Sequence, residues 1–420
     1  MLQEYKSRCC CIVDNGLFVS LAELMAKHFG KVYYATPWVK SSPTSNSRLP
    51  GYGLPGVTRC NDIWKIKNEV DLWIMPDIYY AGLQYELRSQ GKRVWGSGFG
   101  EELELCRKES KEYLKKLGIP VGKYEVIVGI DKLRAYLKTK NDVWVKISLT
   151  RGDCETFKSI NYRNIEPRLD ELEHSLGAKK KIMEFIVEDN IPDAAEIGFD
   201  GYCIDGQFPK KSMVGIETKD KGYIGVIKDY KDMPKQILDV NSKLSDTLKK
   251  YQYRNSFCLE MRITKDGTGW VIDPLCRFGS PPGELIQLMY TNLPDIFWFG
   301  AEGKCIDPIP AAKFGAELLI YSDWAETNWQ PIRFPKEIKD NIKLKNLTII
   351  DGENYVIPLA GCSIIGAVVA VGNTMDEAVK KVKELSHKIE GYSLDVYSDS
   401  LDNAGKEFEH LKKFGINLLG

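Results

Sequence analysis

The stretch FCLEMRITKDGTGWVIDPLCRFGS, residues 257–280, decides the fold that the sequence predicts. It contains two apolar runs joined by the turn sequence KDG at residues 265–267, a pattern typical of a β-hairpin. Glu260 lies on the first run and Asp273 on the second, so a hairpin can bring both carboxylates to one face. Such a pair suits a divalent cation beside phosphates. The alternative is that acidic and basic residues of the two strands form ordinary cross-strand ion pairs. Two guanidinium groups suited to phosphate or carboxylate lie nearby, on Arg262 and Arg277.

Upstream of the hairpin, DVWVKISL at residues 142–149 places Lys146 in a strand that is apolar on both sides of it. The polar segment SLTRGD, residues 148–153, follows directly and is short enough to fold over phosphates. A lysine on a rigid strand beside such a loop is a candidate phosphate-binding cation. The alternative is a strand-edge lysine whose ammonium lies in water. The candidate loop residues are Ser148, Arg151 and Gly152.

A second strand, KIMEFIVED at residues 181–189, ends in an acidic, polar segment. Such a segment can offer backbone groups to a purine base, and the carboxylate of Glu196 beyond it can accept hydrogen bonds from ribose hydroxyls. By itself, Glu196 is equally a plain surface carboxylate.

The order of the other segments predicts an α/β and α+β protein of several domains. Strand, helix and strand alternate over residues 9–35 and again over 71–96, which indicates βαβ units and a parallel sheet. The Ser-, Pro- and Gly-rich residues 41–60 are predicted to be a surface loop, and residues 101–117 a charged helix that ends at Gly118. The predicted domains are 1–98, 99–190, 191–314 and 315–420.

Composition limits the function. The chain of 420 residues is longer than one hydrophobic core usually supports, so more than one domain is expected. Its 58 basic and 58 acidic residues cancel, so the net charge predicts no binding to nucleic acid or to an anionic membrane. No apolar run approaches the roughly 20 residues of a membrane span, and the N-terminus lacks a signal-peptide core. A cytoplasmic protein is expected. Its eleven cysteines are predicted to be reduced and buried, and its four scattered histidines give no zinc-site spacing.

In this order the segments resemble the ATP-grasp superfamily, and within it the glycinamide ribonucleotide synthetase (phosphoribosylamine–glycine ligase) family. The resemblance rests on five segments and spans nearly the whole chain: GKRVWGSGFGEELELCRKESKEYLKKLGIPVGKYEV (91–126), VWVKISLTRGDCETF (143–157), IMEFIVED (182–189), GWVIDPLCRFGSPPGE (269–284) and GCSIIGAVVAVGNTMDEAVKKVKELSHKI (361–389). It implies an ATP-grasp fold with an N-terminal parallel-sheet domain and a small C-terminal α+β domain.

The resemblance also implies an activity: an ATP-dependent ligase that converts a carboxylate to an acyl phosphate and joins it to an amine. The expected cofactors are ATP and Mg²⁺, with Mn²⁺ as a possible substitute. The expected partners are a small carboxylate, such as an amino acid, and a nucleotide-like or other small amine as acceptor, in a monomer or homodimer. Residues carried over by motif are Arg107 and Lys146 as phosphate-binding cations, Glu184, Phe185 and Ile186 as the adenine linker, Glu196 as the ribose acid, Glu260 and Asp273 as metal ligands, and Arg277 as a substrate or phosphate contact, with Arg262 beside it.

Departures from the family keep other functions open. The turn at residues 14–17 has one glycine where the synthetases have a glycine-rich phosphate loop, so phosphoribosylamine is a doubtful substrate. Leu275 replaces an oxygen ligand, and Gly152 is the single glycine of the lid loop, which also fits a nucleotide-binding scaffold without ligase activity. The DPLCRFGSPP variant at residues 273–282 resembles divergent ATP-grasp proteins of phage genomes, for which the host cytoplasm is expected.

Overall fold

The structure, a computed structural model, describes residues 5–36, 50–148 and 156–419. Within these ranges, twenty strands form four sheets and twelve α-helices accompany them. This mixture of parallel and antiparallel sheets confirms the predicted α/β and α+β class. In the same part of the chain, no helix is both long enough and apolar enough to cross a membrane. Arg151 and Gly152 lie outside the described residues.

The N-terminal sheet is parallel, as predicted, in the order β3-β2-β1-β4-β5. The prediction of a surface loop over residues 41–60 is wrong for residues 57–60, because they pair with β2 as an edge strand. A strand of four residues is too short to show a hydrophobic period. The elements are β1 (Tyr5–Val13), α1 (Val19–His28), β2 (Phe29–Ala35), β3 (Val57–Cys60), α2 (Ile63–Ile66), β4 (Leu72–Ile74), α3 (Ala81–Ser89) and β5 (Arg93–Trp95).

The charged helix that follows is interrupted, whereas the sequence predicted one helix over 101–117. A 3₁₀ turn at Gly98–Glu101 leads into α4 (Glu102–Leu105), and α5 (Arg107–Lys116) starts after Cys106, which has non-helical dihedrals. One face of α5 is buried at positions 107, 110, 111 and 114, the i, i+3, i+4, i+7 spacing of a helix face. Two of these buried residues are cations, which is unusual unless they are paired.

A small antiparallel sheet comes next, in the order β6-β9-β7-β8. Phe185, Val187 and Val145 pack into the core that this sheet forms with its helices. Because strand side chains alternate between faces, Ile186, Glu188 and Lys146 lie on the opposite face. The elements are β6 (Tyr124–Val128), α6 (Ile130–Leu137), β7 (Val143–Ile147), β8 (Thr156–Ser159), α7 (Tyr162–Leu176) and β9 (Glu184–Asp189).

The central sheet is antiparallel and runs β14-β13-β10-β11-β12-β15-β20-β17. The strand that begins at Phe314 continues it across the predicted boundary at residue 315, since β12 pairs with β15. The division into four domains stays a prediction. The elements are β10 (Ala194–Ile204), β11 (Lys211–Thr218), β12 (Gly222–Asp229), α8 (Lys235–Lys250), β13 (Arg254–Thr264), β14 (Gly269–Leu275), α9 (Gly283–Met289), α10 (Leu293–Ala301), β15 (Phe314–Tyr321), β17 (Ile342–Leu344), β20 (Ile364–Gly372) and α11 (Met375–Ser386).

A three-stranded sheet and a terminal helix complete the described chain. The sheet order is β16-β19-β18. The helix α11 begins with a capping box, in which Thr374 and Glu377 satisfy each other's backbone N–H groups. These last elements are β16 (Gln330–Ile332), β18 (Leu347–Ile350), β19 (Glu353–Val356) and α12 (Ala404–Leu411).

Candidate active site

A cleft of about 260 Å³ lies between the small sheet and the hairpin end of the central sheet. Strands of both sheets and the α4–α5 segment contribute its walls. The structure thus brings together side chains that are far apart in sequence. The predicted residues that line it are Arg107, Lys146, Glu196, Glu260, Arg262, Asp273 and Arg277.

The hairpin sets the two acids side by side. β13 pairs antiparallel with β14, and Glu260 is the direct register partner of Asp273. Directly opposed residues of an antiparallel pair project to the same face. A bulge after this pair leaves Ile272 as an extra residue on β14. Both carboxylates line the cleft.

Lys146 reaches the hairpin from the small sheet. Its Nζ donates to Asp273 Oδ2 at 2.7 Å and to the Ile272 carbonyl at 3.4 Å. The residue is only 2% exposed, so the alternative of a lysine with its ammonium in water is wrong. Burial alone would lower the pKa of Lys146, but the carboxylates of Asp273 and Glu188 outweigh burial and raise it. The lysine is therefore a fixed, charged group in the cleft wall.

Two further cations come from α5. Arg107 Nη1 lies 3.8 Å from Asp273 Oδ1. Lys111, one helical turn later, lies 3.1 Å from Glu188 Oε1, and the same oxygen is 3.1 Å from Lys146 Nζ. Glu188 thus bridges two lysines, all three side chains being almost fully buried. The result is a compact charge cluster of three cations and two carboxylates.

The two hairpin acids differ in proton affinity. Burial alone would raise the pKa of Asp273, but Lys146, Arg107 and Lys111 lower it to about 2. Burial and the Asp273 carboxylate raise the pKa of Glu260 to about 8. Asp273 is therefore ionised at neutral pH. Glu260 keeps its proton there until a cation displaces that proton.

This donor set fits Mg²⁺. The ion prefers hard oxygen ligands and is usually held by one or two carboxylates together with substrate phosphates. Glu260 and Asp273 provide two such carboxylates, and among the described residues no group of three or more metal-ligating His, Cys, Asp or Glu side chains occurs. Leu275 lines the same cleft. Because its side chain is apolar, it offers no third side-chain oxygen to the metal.

Arg277 is held by an acid that the sequence did not suggest. Glu104 Oε1 accepts from Arg277 Nε at 2.8 Å, and its other oxygen accepts from the Cys276 backbone N–H at 2.7 Å. Burial would lower the pKa of Arg277, but Glu104 and Asp77 outweigh burial and raise it. Glu104 lies in α4, two residues before the break at Cys106. Arg277 is thus a preorganised cation at the edge of the cleft.

Arg262 and Glu196 form a cross-strand ion pair. They are register partners on β13 and β10, and Arg262 Nη2 lies 2.8 Å from Glu196 Oε2. Arg262 also donates to the Asn190 side chain at 3.0 Å and to the Ile191 carbonyl at 3.1 Å. Arg262 and Glu196 therefore form the ordinary cross-strand ion pair that was the alternative to a substrate-binding role. Both residues also line the cleft.

The three residues predicted as the adenine linker do not line the cleft, although the chain just after them does. Phe185 packs into the core of the small sheet, and Glu184, Phe185 and Ile186 are not among the residues that line the cleft. The part of the same segment that does line it is residues 188–191. Ser148 is buried, and its N–H donates to the Glu184 carbonyl at 3.1 Å.

Sequence reasoning missed Lys111, Glu188 and Glu104. The signal for Lys111 was its position four residues after Arg107, on the same helix face. Glu188 could have been found by alternation, since it lies two residues beyond Ile186 on one strand face. For Glu104 no local signal exists, because its partners are more than 170 residues away.

The N-terminal turn differs from a phosphate-binding loop. Asp14 accepts hydrogen bonds from the backbone N–H groups of Gly16 at 3.1 Å and Phe18 at 2.8 Å, and from the Tyr34 hydroxyl at 2.6 Å. These N–H groups are the donors that a phosphate at a helix N-terminus would need. The carboxylate already occupies them.

No family model matches the sequence. Solved structures of similar shape include phosphoribosylamine–glycine ligase from Thermotoga maritima, 17% identical, with a TM-score of 0.70 over 92% of this chain and 98% of that one. The biotin carboxylase domain of 2-oxoglutarate carboxylase from Hydrogenobacter thermophilus, in complex with MgADP, ADP and bicarbonate, is 13% identical, with a TM-score of 0.65 over 98% and 99%. L-amino acid ligase from Bacillus licheniformis is 14% identical, with a TM-score of 0.62 over 91% and 98%. The predicted fold is therefore confirmed: the chain has the ATP-grasp fold.

Proposed function

We propose that the protein is an ATP-dependent carboxylate–amine ligase that binds Mg-ATP in the cleft between the small and central sheets. The observation that carries the proposal is the contact of Lys146 with Asp273 at 2.7 Å, with Glu260 beside it. A phosphate-binding cation and a pair of metal-binding acids are thereby brought to one point from two different sheets. The likeness in fold to ligases of amino acids and of phosphoribosylamine supports the same proposal.

In this proposal, Arg107 and Lys146 hold the β- and γ-phosphate oxygens, and Glu260 and Asp273 hold Mg²⁺. The metal would offset the phosphate charge and orient the γ-phosphate for in-line attack. Lys111 lies behind Lys146 and adds a third positive charge to the same wall. Because these groups are buried and already fixed by ion pairs, little reorganisation is needed when the charge of the transition state develops.

The reaction has two displacements. A carboxylate oxygen of the substrate attacks the γ-phosphorus, the bond to ADP breaks, and an acyl phosphate forms. The amine then attacks the acyl carbon, inorganic phosphate leaves, and the nitrogen loses a proton as the amide forms. Arg277, held by Glu104, is placed to steady the acyl phosphate. The protein supplies no covalent nucleophile in this scheme, and burial raises the pKa of Cys276, the cysteine next to Arg277, so that it stays a thiol.

A scaffold that binds nucleotide without ligation is the second candidate. Leu275 favours it, because an apolar side chain lines the cleft where relatives have an oxygen ligand. The intact group of Lys146, Arg107, Glu260 and Asp273 favours catalysis. Release of ADP that depends on a carboxylate and an amine separates the two candidates.

Authentic phosphoribosylamine–glycine ligation is the third candidate, and the likeness in fold to that enzyme favours it. The turn at Asp14 opposes it, because the backbone donors of Gly16 and Phe18 are already taken by a carboxylate. A ribose phosphate at this turn would also meet the negative charge of Asp14. Turnover with phosphoribosylamine and glycine, and with no other pair, would establish this candidate instead.

The test is ADP release from Mg-ATP in the presence of pooled amino acids, other carboxylates and amines, in the wild type and in Asp273→Asn. We expect the variant to lose activity by orders of magnitude, because a neutral amide replaces a metal-binding carboxylate. Folding should be retained, since Lys146 keeps Glu188 as its partner. Asp246→Asn, on the exposed surface of α8, is the matched control.

Unchanged turnover in Asp273→Asn would remove this residue from the metal site. If the wild type binds ATP and no pool of acids and amines stimulates ADP release, the scaffold candidate replaces the ligase.

A further inference from the structure

A second cavity, of about 480 Å³, lies between α1, α9 and the 3₁₀ segment that precedes β17. It shares no lining residue with the cleft that we assign to Mg-ATP. The face of α1 that it exposes carries Ser20, Glu23, Leu24 and Lys27, which follow the spacing of one helix face. The proposed ligase reaction does not use this cavity.

Three lysines and two carboxylates line the cavity, and the carboxylates are already matched. Lys339 Nζ lies 2.7 Å from Glu23 Oε1, and Lys27 forms an ion pair with Asp340. Each acid therefore has its own lysine. The third lysine, Lys343, brings one positive charge beyond this balance.

Lys343 is the unusual group. It is only 7% exposed, and among the described residues its ammonium forms no ion pair or hydrogen bond. A buried ammonium without a partner is costly, and buried lysines are seldom left in this state. Burial lowers the pKa of Lys343 to about 8, although Asp340 and Glu23 act in the opposite direction. The side chain is thus largely buried, and it lines a cavity large enough for a small molecule.

A second buried polar atom of the same cavity also lacks a partner. Gln287 is 5% exposed, and its Oε1 accepts no hydrogen bond within the described ranges, while its Nε2 donates weakly to the Gly283 carbonyl at 3.4 Å. A buried amide oxygen of this kind costs free energy until a donor reaches it. Among the described residues, the Lys343 ammonium therefore lacks an anionic partner, and Gln287 Oε1 lacks a hydrogen-bond donor.

We propose that this cavity is a binding site for a small molecule that has a carboxylate or phosphate group for Lys343 and an N–H or O–H donor for Gln287. The anionic group completes the charge balance of the cavity, and the donor satisfies the buried amide oxygen. The ends of Leu24, Leu288 and Ile342 form an apolar wall for the rest of the ligand.

The test follows the reactivity of single lysines in the full chain. An N-hydroxysuccinimide ester is added near pH 8, and mass spectrometry measures the labelling rate at Lys343 and at the exposed Lys313. Inorganic phosphate and glycolate are the two probes, since glycolate combines a carboxylate with a hydroxyl donor. We expect one of them to slow the labelling of Lys343 at least about fivefold, because a bound anion favours the protonated amine, while the rate at Lys313 stays unchanged.

Variants give the second measurement. Lys345 is buried to the same extent, 7% exposed, but does not line the cavity. The rise in melting temperature caused by the protective probe should be smaller in Lys343→Met than in Lys345→Met, and Lys343→Arg should restore it. Phosphate that binds in the Mg-ATP cleft raises both melting temperatures equally, so the difference reports on the second cavity.

Protection by phosphate assigns a phosphate-bearing ligand, and protection by glycolate assigns a hydroxy- or amino-carboxylate. Equal labelling of Lys343 with and without both probes would overturn the proposal, as would equal responses of Lys343→Met and Lys345→Met. The result is independent of ADP release, so it can fail while the proposed ligase function stands.

Discussion

Glu188→Gln tests whether the charge cluster is built for polyphosphate. In the wild type, one oxygen of Glu188 lies 3.1 Å from Lys146 and 3.1 Å from Lys111. The substitution keeps the size of the side chain and removes its charge. Three cations then share the single carboxylate of Asp273 when no nucleotide is bound.

The magnitude follows from what each lysine keeps. Lys146 retains Asp273 at 2.7 Å, whereas Lys111 retains the Ile272 carbonyl at 3.5 Å and the Tyr124 ring, with its centroid at 5.8 Å, but no carboxylate within ion-pair distance among the described residues. Loss of one partner of a buried ion pair costs about 3–5 kcal/mol. Because the glutamine oxygen keeps a partial negative charge beside both lysines, we expect the lower end, a loss of about 3 kcal/mol in the free energy of unfolding. Bound Mg-ATP replaces the missing negative charge, so the loss should shrink and the affinity for nucleotide should rise.

Urea unfolding with and without Mg-ATP measures both effects. Glu112→Gln is the matched control, because Glu112 lies on the exposed face of α5 and should change stability by less than about 0.5 kcal/mol. A Glu188→Gln protein as stable as the control would show that the pairing carries little energy. A variant that is destabilised equally with and without Mg-ATP would show that phosphates do not enter this cluster.

Four further predictions concern the metal site and the core. Since burial and Asp273 raise the pKa of Glu260 to about 8, Mg²⁺ competes with a proton there, and its apparent affinity, measured by titration, should rise with pH up to about 8. Without nucleotide, the folded chain holds this proton more tightly than the unfolded chain, so the contribution of Glu260 makes stability fall between its usual pKa of 4.5 and about 8; Glu260→Gln should abolish that slope in urea unfolding. Leu275→Asn adds an oxygen ligand and should lower the Mg²⁺ concentration for half-maximal ADP release; an unchanged requirement would place residue 275 away from the metal. Phe185→Ala removes a fully buried ring from the small sheet and should cost about 3–5 kcal/mol in unfolding, and a smaller loss than about 1 kcal/mol would contradict its place in the core.

The sequence predicted the features that depend on local pattern. The hairpin was one, because a glycine turn lies between two apolar runs. The bulge at Ile272 was not predicted, and it is this bulge that sets Glu260 opposite Asp273, since the register near the turn alone would set Glu260 opposite Ile272. The parallel N-terminal sheet was another, since alternating strands and helices allow few topologies. The place of Lys146 on a strand was a third, because the residues on both sides of it are apolar, whereas the burial of its ammonium was not predicted.

The remaining features depend on contacts between distant segments. The edge strand β3 is defined by its pairing with β2 and not by a pattern of its own. The helix break at Cys106 lets Glu104 contact Arg277, a partner 173 residues away. Whether Arg262 faces a substrate or Glu196 is likewise decided by strand register, which the sequence of β13 alone does not specify.

The most direct measurement of the central claim is a crystal structure of the protein with Mg²⁺ and a non-hydrolysable ATP analogue. We predict Mg²⁺ about 2.0–2.1 Å from one oxygen each of Glu260 and Asp273, with phosphate oxygens completing its coordination and Lys146 donating to a phosphate. A nucleotide bound elsewhere, or phosphates that leave both acids without metal, would contradict the account.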